Sequence, residues 1–189
     1  MSLLLALIPL VAMAQPFDAS SYTDAPLRVQ LAAELDAPPD AVFELVSTGL
    51  AEWMAVSDIT WDNTDSETDG HIDDGSRRSC ALPGKKGITE TIEFWEQDST
   101  YAYRIDWDNS EFRLPLNGQL GVFEVSPDGD GGSVLAWNQY FKAKVHPMNP
   151  MIPGFMRKKM SQGLETLVRI TGGVVLDSPD SVPALADAE

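Results

Sequence analysis

The sequence predicts an α+β domain: a seven-stranded antiparallel sheet curled around a long C-terminal helix, with two short helices after strand 1. Three observations predict it. Runs of alternating apolar and polar residues follow one another with turn residues between them. A Pro- and Asp-rich opening places a short helical stretch after the first run. The longest helical periodicity closes the chain, where it can cover the open face of a curled sheet. With 189 residues the chain has the size of one domain plus tails, and 43% apolar residues suffice for a core.

The elements follow in order. Leu3 to Val11 is a short apolar run broken by Pro9, and Ala12-Met13-Ala14 has the small-x-small pattern of a cleavage site. Residues 1–14 therefore read as a signal peptide of an exported, periplasmic or secreted protein, and 15–26 as a linker. Leu27 to Leu35 alternates as a strand. Asp36-Ala37-Pro38-Pro39-Asp40 then opens a helix running to Ser47, since proline suits a first turn, and Leu50 to Met54 adds another turn. Strands follow at Ser57–Asn63, Ser76–Leu82, Gly87–Gln97, Thr100–Trp107, Gln119–Ser126 and Ser133–Lys144. The Pro83–Gly87 and Pro127–Gly132 segments are hairpin turns. After Pro147 and Pro150, Ile152 to Thr171 carries a helical stripe of Ile152, Met156, Met160, Leu164, Leu167 and Val168. The domain thus spans 27–172, and 173–189 reads as an acidic disordered tail.

Charge excludes some functions. Twenty-nine Asp and Glu against 13 Lys and Arg give a net charge of −16, which repels nucleic-acid phosphates and anionic lipid headgroups, so neither nucleic-acid binding nor electrostatic membrane docking is expected, nor a stable membrane anchor. The single cysteine, Cys80, excludes an internal disulfide and a cysteine-based zinc site. On an apolar strand face it reads as a small buried hydrophobe.

Several local patterns, in this order, resemble the START / polyketide-cyclase (SRPBCC) superfamily, of the polyketide cyclase/dehydrase and lipid-transport type. They are Asp36 to Val46 with Trp53 following, Gly75 to Cys80, Thr89 to Trp95, Tyr101 to Ile105, and Val125-Ser126-Pro127 with Gly132 to Trp137. The resemblance implies the helix-grip fold and a hydrophobic cavity between sheet and long helix. It implies a cavity that takes lipids, sterols, hormones, polyketides or aromatic molecules, in some members with catalysis and in others without. Fold membership leaves that choice to the lining residues.

Alternation gives the lining. Tyr101, Tyr103, Ile105 and Trp107 share one face, and Leu135, Trp137, Gln139 and Phe141 share another. If Val125 pairs with Leu135, Phe123 faces Trp137 and Gly121 faces Gln139. Glu90, Ile92 and Phe94 fall together, as do Arg78, Cys80 and Leu82. Met156 and Met160 come from the long helix. The same stripes would also fill an ordinary core. Arg78 and Glu90 stand out because both lie on otherwise apolar faces; a hairpin centred near Gly84 sets them opposite each other, and one centred a residue later offsets them by one diagonal step. Such a pair either anchors a polar ligand group, is purely structural, or sits on the solvated face.

Asp62 to Asp74 carries six carboxylates and no Lys or Arg. Asp65, Glu67, Asp69 and Asp73 have the spacing that opens a calcium loop, but Ser76 replaces its bidentate glutamate, so an acidic solvated loop is expected and no metal or cofactor. His71 and His146 lack nucleophile and acid partners, and no phosphate loop or nucleophile elbow is present. The function expected is binding or carriage of a hydrophobic small molecule, a lipid or an aromatic, polyketide-like metabolite. The alternatives are a cyclase, aromatase or dehydratase using Glu90, Tyr103 or Arg78, and a ligand-free accessory factor of a periplasmic enzyme. The sequence leaves the oligomeric state open.

Overall fold

The computed structural model describes residues 17–84, 86–144 and 151–176. The leader, His146, Pro147, Pro150 and the tail beyond Leu176 lie outside the described residues. The described chain runs β1 (Leu27–Leu35), α1 (Pro39–Ser47), α2 (Leu50–Trp53), β2 (Asp58–Asp62), β3 (Arg77–Ala81), β4 (Gly87–Glu96), β5 (Thr100–Asp106), β6 (Leu116–Pro127), β7 (Ser133–Ala143), α3 (Met151–Thr171) and β8 (Val174–Leu176). The strands form one antiparallel sheet in the order β2-β3-β4-β5-β6-β7-β1-β8.

The sheet has eight strands, not seven. β8 pairs Val174 with Glu34 and Leu176 with Ala32 inside the stretch read as tail. Three residues carry too little alternation to register as a strand. What places them is the turn at Gly172 and Gly173, both at positive φ, where an added Cβ would meet the Asp36 carboxylate or the Glu34 carbonyl. Residues 17–25, in the stretch assigned to the linker, lie across the outer face of the sheet. Phe17 and Tyr22 stack there on each other and meet Phe94 tilted and edge-on, and Thr23 Oγ1 donates to the Gly118 carbonyl.

The β3–β4 and β6–β7 hairpins have the expected registers: Arg78 opposite Glu90, Val125 opposite Leu135, Phe123 opposite Trp137 and Gly121 opposite Gln139. β4 departs from simple alternation. A bulge between Ile92 and Phe94 inserts one extra residue, so Phe94 joins the outer cluster with Ala102, Leu120 and Val122 while Trp95 turns inward. The grouping of Phe94 with Glu90 and Ile92 fails for that reason, because a bulge reverses the faces beyond it. The main core lies between the concave face, α1, α2 and α3, and includes Phe43, Trp53, Ile92, Tyr101, Tyr103, Phe123, Trp137, Phe141, Met160, Leu164 and Leu167.

The two halves of α3 pack differently. Met160 to Thr171 buries Met160, Gly163, Leu164 and Leu167, and the Gly163 backbone lies so close to Met54 that a Cβ would sit 2.5 Å from its sulfur. Met151 to Lys159 buries only Ile152.

Candidate functional site

The inner face of the sheet gathers the residues singled out in the sequence. Ile92, Tyr101, Tyr103, Phe123 and Trp137 belong to one buried cluster, with Met160 buried on α3 and Met156 half-buried beside it. The rings fill the interior against one another: Phe123 stacks on Trp137 at 4.7 Å between centroids, and Tyr101 on Phe123 at 5.2 Å. Trp53 of α2 closes the stack edge-on to both Phe123 and Trp137.

Arg78 and Glu90 are both inside. The Arg78 side chain is 1% exposed and that of Glu90 12%. Arg78 Nε donates to Glu90 Oε2 at 2.8 Å, and Nη2 lies 2.7 Å from the same oxygen. Arg78 Nη1 donates to the Ser47 carbonyl at 2.6 Å. That carbonyl lies at the C-terminal end of α1, where backbone acceptors lack helical partners and the helix dipole is negative. The Tyr101 hydroxyl donates to the neighbouring Val46 carbonyl. Arg78 and Tyr101 thus cap α1 from the sheet, and the guanidinium is packed among the rings of Trp61, Tyr101 and Tyr103 at 5.5–5.6 Å.

A second polar chain runs beside the pair. Gln139 Nε2 donates to the Tyr103 hydroxyl at 2.7 Å, Gln119 Nε2 to Gln139 Oε1 at 3.2 Å, and the Ile105 amide to Gln119 Oε1 at 2.8 Å. Gln119 there replaces the ladder partner that β6 stops supplying beyond Gly121. Trp137 Nε1 is directed toward the Tyr103 phenol, close enough to lower its pKa but outside hydrogen-bonding geometry, and it is buried with no other acceptor among the described residues.

The electrostatics follow from burial. Burial opposes charge on Arg78, but Glu90 together with Tyr101 and Cys80 outweighs it and the guanidinium pKa is raised. Burial lifts the Tyr101 and Tyr103 phenols well above the usual tyrosine range, with Glu90 adding to the rise at Tyr103. Burial, reinforced by Glu90, pushes the Cys80 thiol up to about 12. The interior therefore holds one neutralised ion pair and neutral donors. A phenol raised in this way donates a proton in a hydrogen bond and is no general base near neutral pH.

The acidic loop brings its carboxylates to no common point. Asp65 pairs with Arg77 at 3.2 Å and Asp73 accepts from Thr68 Oγ1 at 2.6 Å. Among the described residues no three His, Cys, Asp or Glu side chains converge. An open pocket of about 290 Å³ lies between α1 and the β4–β5 turn, lined by residues including Phe43, Glu44, Ser47, Gln97 and Asp98.

Sequence reasoning missed Trp61, Ser47 and Gln119, and it placed Gly121 opposite Gln139 without its contact to Tyr103. Trp61 stands opposite Arg78 across β2–β3, a pairing that the length of the intervening loop conceals. Gly121 left a signal, since an isolated glycine in a strand marks a close approach. A Cβ there would lie 2.2 Å from Cζ of Tyr103, so the ring rests on bare backbone.

The profile of a family described as "Polyketide cyclase / dehydrase and lipid transport" matches residues 26–171. No curated protein matches the sequence. Among solved structures, the protein XoxI from Bacillus cereus superposes with a TM-score of 0.60 at 20% identity, covering 76% of this chain and 94% of that one. Ara h 8.0201 gives 0.56 at 16% identity, with 75% and 95% covered. Norcoclaurine synthase from Thalictrum flavum, in complex with dopamine and hydroxybenzaldehyde, gives 0.55 at 12% identity, with 87% and 96% covered. At these identities the likeness is one of fold.

Proposed function

The chain belongs to the polyketide cyclase / dehydrase and lipid transport family, and from that premise we propose that it binds an uncharged, largely apolar small molecule against the inner face of its sheet. The observation that carries this reading is the buried Trp137 indole N–H left without an acceptor in an aromatic wall. A ligand carbonyl or hydroxyl oxygen would satisfy it. Arg78 is a poor anchor for a ligand carboxylate: Glu90 neutralises it and its nitrogens are already engaged by Glu90 and the α1 carbonyl. A second buried anion would face Glu90 with no free counter-charge.

Admission requires the rings to part, and the half of α3 that buries only Ile152 is the element least held against that motion. Covering about 300 Å² of apolar ligand surface contributes roughly 7 kcal/mol before the cost of association. Binding thus needs no catalytic group.

The test uses three naphthalenes of one shape: 2-acetylnaphthalene, 2-ethylnaphthalene and 2-naphthoate. Isothermal titration should rank the ketone first and the carboxylate last. Native mass spectrometry followed by solvent extraction should release a neutral apolar molecule from the freshly purified protein. No binding of any of the three, together with a clean apo mass, would overturn the reading in favour of a ligand-free accessory role. Turnover of a bound substrate that Glu90→Gln abolishes would replace it with catalysis.

A further inference from the structure

The protein's charge is distributed unevenly along the chain. Residues 131–164 contain no Asp or Glu and five of its Lys and Arg, in a protein whose net charge is −16. Three of the five are consecutive, Arg157-Lys158-Lys159, all exposed on the first half of α3. At about 100° per residue, Met151, Phe155 and Lys158 share the side of the helix opposite its buried stripe of Ile152, Met160, Leu164 and Leu167, while Lys159 lies at the edge of that side next to Ile152 and Arg157 on the other flank next to Leu164. Met151 is 69% exposed and Phe155 48%. Among the described residues this large apolar pair leaves about half or more of its surface to water, with a lysine one turn further on.

We propose that the first half of α3 docks reversibly on an anionic lipid surface. Lys158 and, at the edge, Lys159 would lie against lipid phosphates, while Phe155 and Met151 enter the boundary between headgroups and acyl chains. A lysine beside an exposed aromatic and a methionine on one side of a helix is the arrangement an interfacial helix needs. No helix among the described residues is long and apolar enough to cross a membrane, so the contact is interfacial. The remaining negative charge of the protein is screened beyond roughly 8 Å at physiological salt, which leaves the local cluster to decide the encounter. This inference stands apart from the ligand reading, because it rests on the outer side of α3 and not on the interior.

Flotation of the full chain with vesicles tests it. Phosphatidylcholine vesicles containing about a third phosphatidylglycerol should bind the protein, with each cation contributing about fivefold, and pure phosphatidylcholine should bind it weakly. Raising sodium chloride to about 0.5 M should release it. Lys158→Glu with Lys159→Glu should remove the preference for anionic vesicles, and Phe155→Ser should weaken binding about tenfold. Both changes are at exposed positions, so the fold should survive, and circular dichroism checks that. Any vesicle binding by the N-terminal leader is common to all variants and cancels in the comparison. Absent binding, equal binding to both vesicle types, or unchanged binding by the variants would overturn the proposal. So would retention on immobilised polyglutamate without vesicle binding, which would assign the patch to an acidic polypeptide.

Discussion

Strand β4 carries Glu90 and Glu93, each paired with an arginine from a neighbouring strand, and the two pairs occupy opposite faces of one sheet. Inside, Arg78 and Glu90 are 1% and 12% exposed and share their space with aromatic rings. Outside, Arg104 and Glu93 are 33% and 28% exposed at 3.2 Å, and Arg104 also donates to the carbonyls of Gln119 and Tyr22. The chemistry is the same and the solvent is different. In water the outer pair gains little, since hydration competes for each charge. In the core neither charge has water to fall back on, so each depends on the other and on the end of α1. The inner pair therefore makes the interior neutral and ties sheet to helix, while the outer pair is one of several contacts holding residues 17–25.

The largest break in this comparison is Glu90→Gln. It leaves the Arg78 charge facing the Ser47 carbonyl and aromatic faces alone, which should cost about 3–5 kcal/mol of unfolding free energy. Urea titration measures it, and a loss under 1 kcal/mol would show that solvent reaches the site. Replacing both partners, Arg78→Met with Glu90→Leu, should recover most of that loss. The shortfall, about 1–3 kcal/mol, would measure the Ser47 carbonyl left without its donor.

High pH probes the same interior. The Cys80 thiol is held at about 12 by burial and Glu90, and the Tyr101 and Tyr103 phenols are raised as well. Each group is neutral when protonated and binds its proton more tightly folded than unfolded. Their contribution is complete below pH 9 and fades as pH climbs through the unfolded values, from about 9 for the thiol and 10 for the phenols. The protein should lose about 4 kcal/mol by about pH 10.5, half of it from the thiol and half from the two phenols. Absorbance at the phenolate band should show Tyr101 and Tyr103 ionising only with unfolding. Early ionisation of all four tyrosines, before any loss of circular dichroism, would contradict an interior closed to water.

Gly121→Ala should follow, at about 1–3 kcal/mol, because the new methyl group drives the Tyr103 ring off its backbone seat. The displaced phenol would also stretch the bond from Gln139. A combined Gly121→Ala, Tyr103→Leu variant should show a smaller penalty than the sum of the single changes, since the obstruction has gone.

Why the sequence revealed some of this and concealed the rest can be read from single residues. Arg78 and Glu90 were legible as a pair because a short turn fixes register, and register in a hairpin is local. Tyr101, Phe123 and Trp137 were legible because period two survives along β5, β6 and β7. Trp95 and Phe94 exchanged faces because one inserted residue reverses alternation, and no residue type in Ile92-Glu93-Phe94 announces a bulge. The Ser47 and Val46 carbonyls were invisible because every residue has a carbonyl, and only the packing of α1 on the sheet selects these two. The outward face of α3 was hidden for a different reason. Its stripe was read for what it buries, and the protein's overall negative charge obscured a local cluster of cations.

The smallest effect carries the comparison furthest. Glu93→Gln makes on the outer face the same change that Glu90→Gln makes inside, on the same strand, and should cost less than about 1 kcal/mol. Arg104 keeps its bonds to the Gln119 and Tyr22 carbonyls and loses only a hydrated partner. High salt should shrink this cost further while leaving the penalty of Glu90→Gln nearly unchanged, because ions screen charges they can approach. Equal costs for the two substitutions, or equal sensitivity to salt, would mean that Arg78 and Glu90 are open to water in solution. The interior would then be wet rather than neutral and closed, and the preference for an uncharged ligand would lose its physical basis.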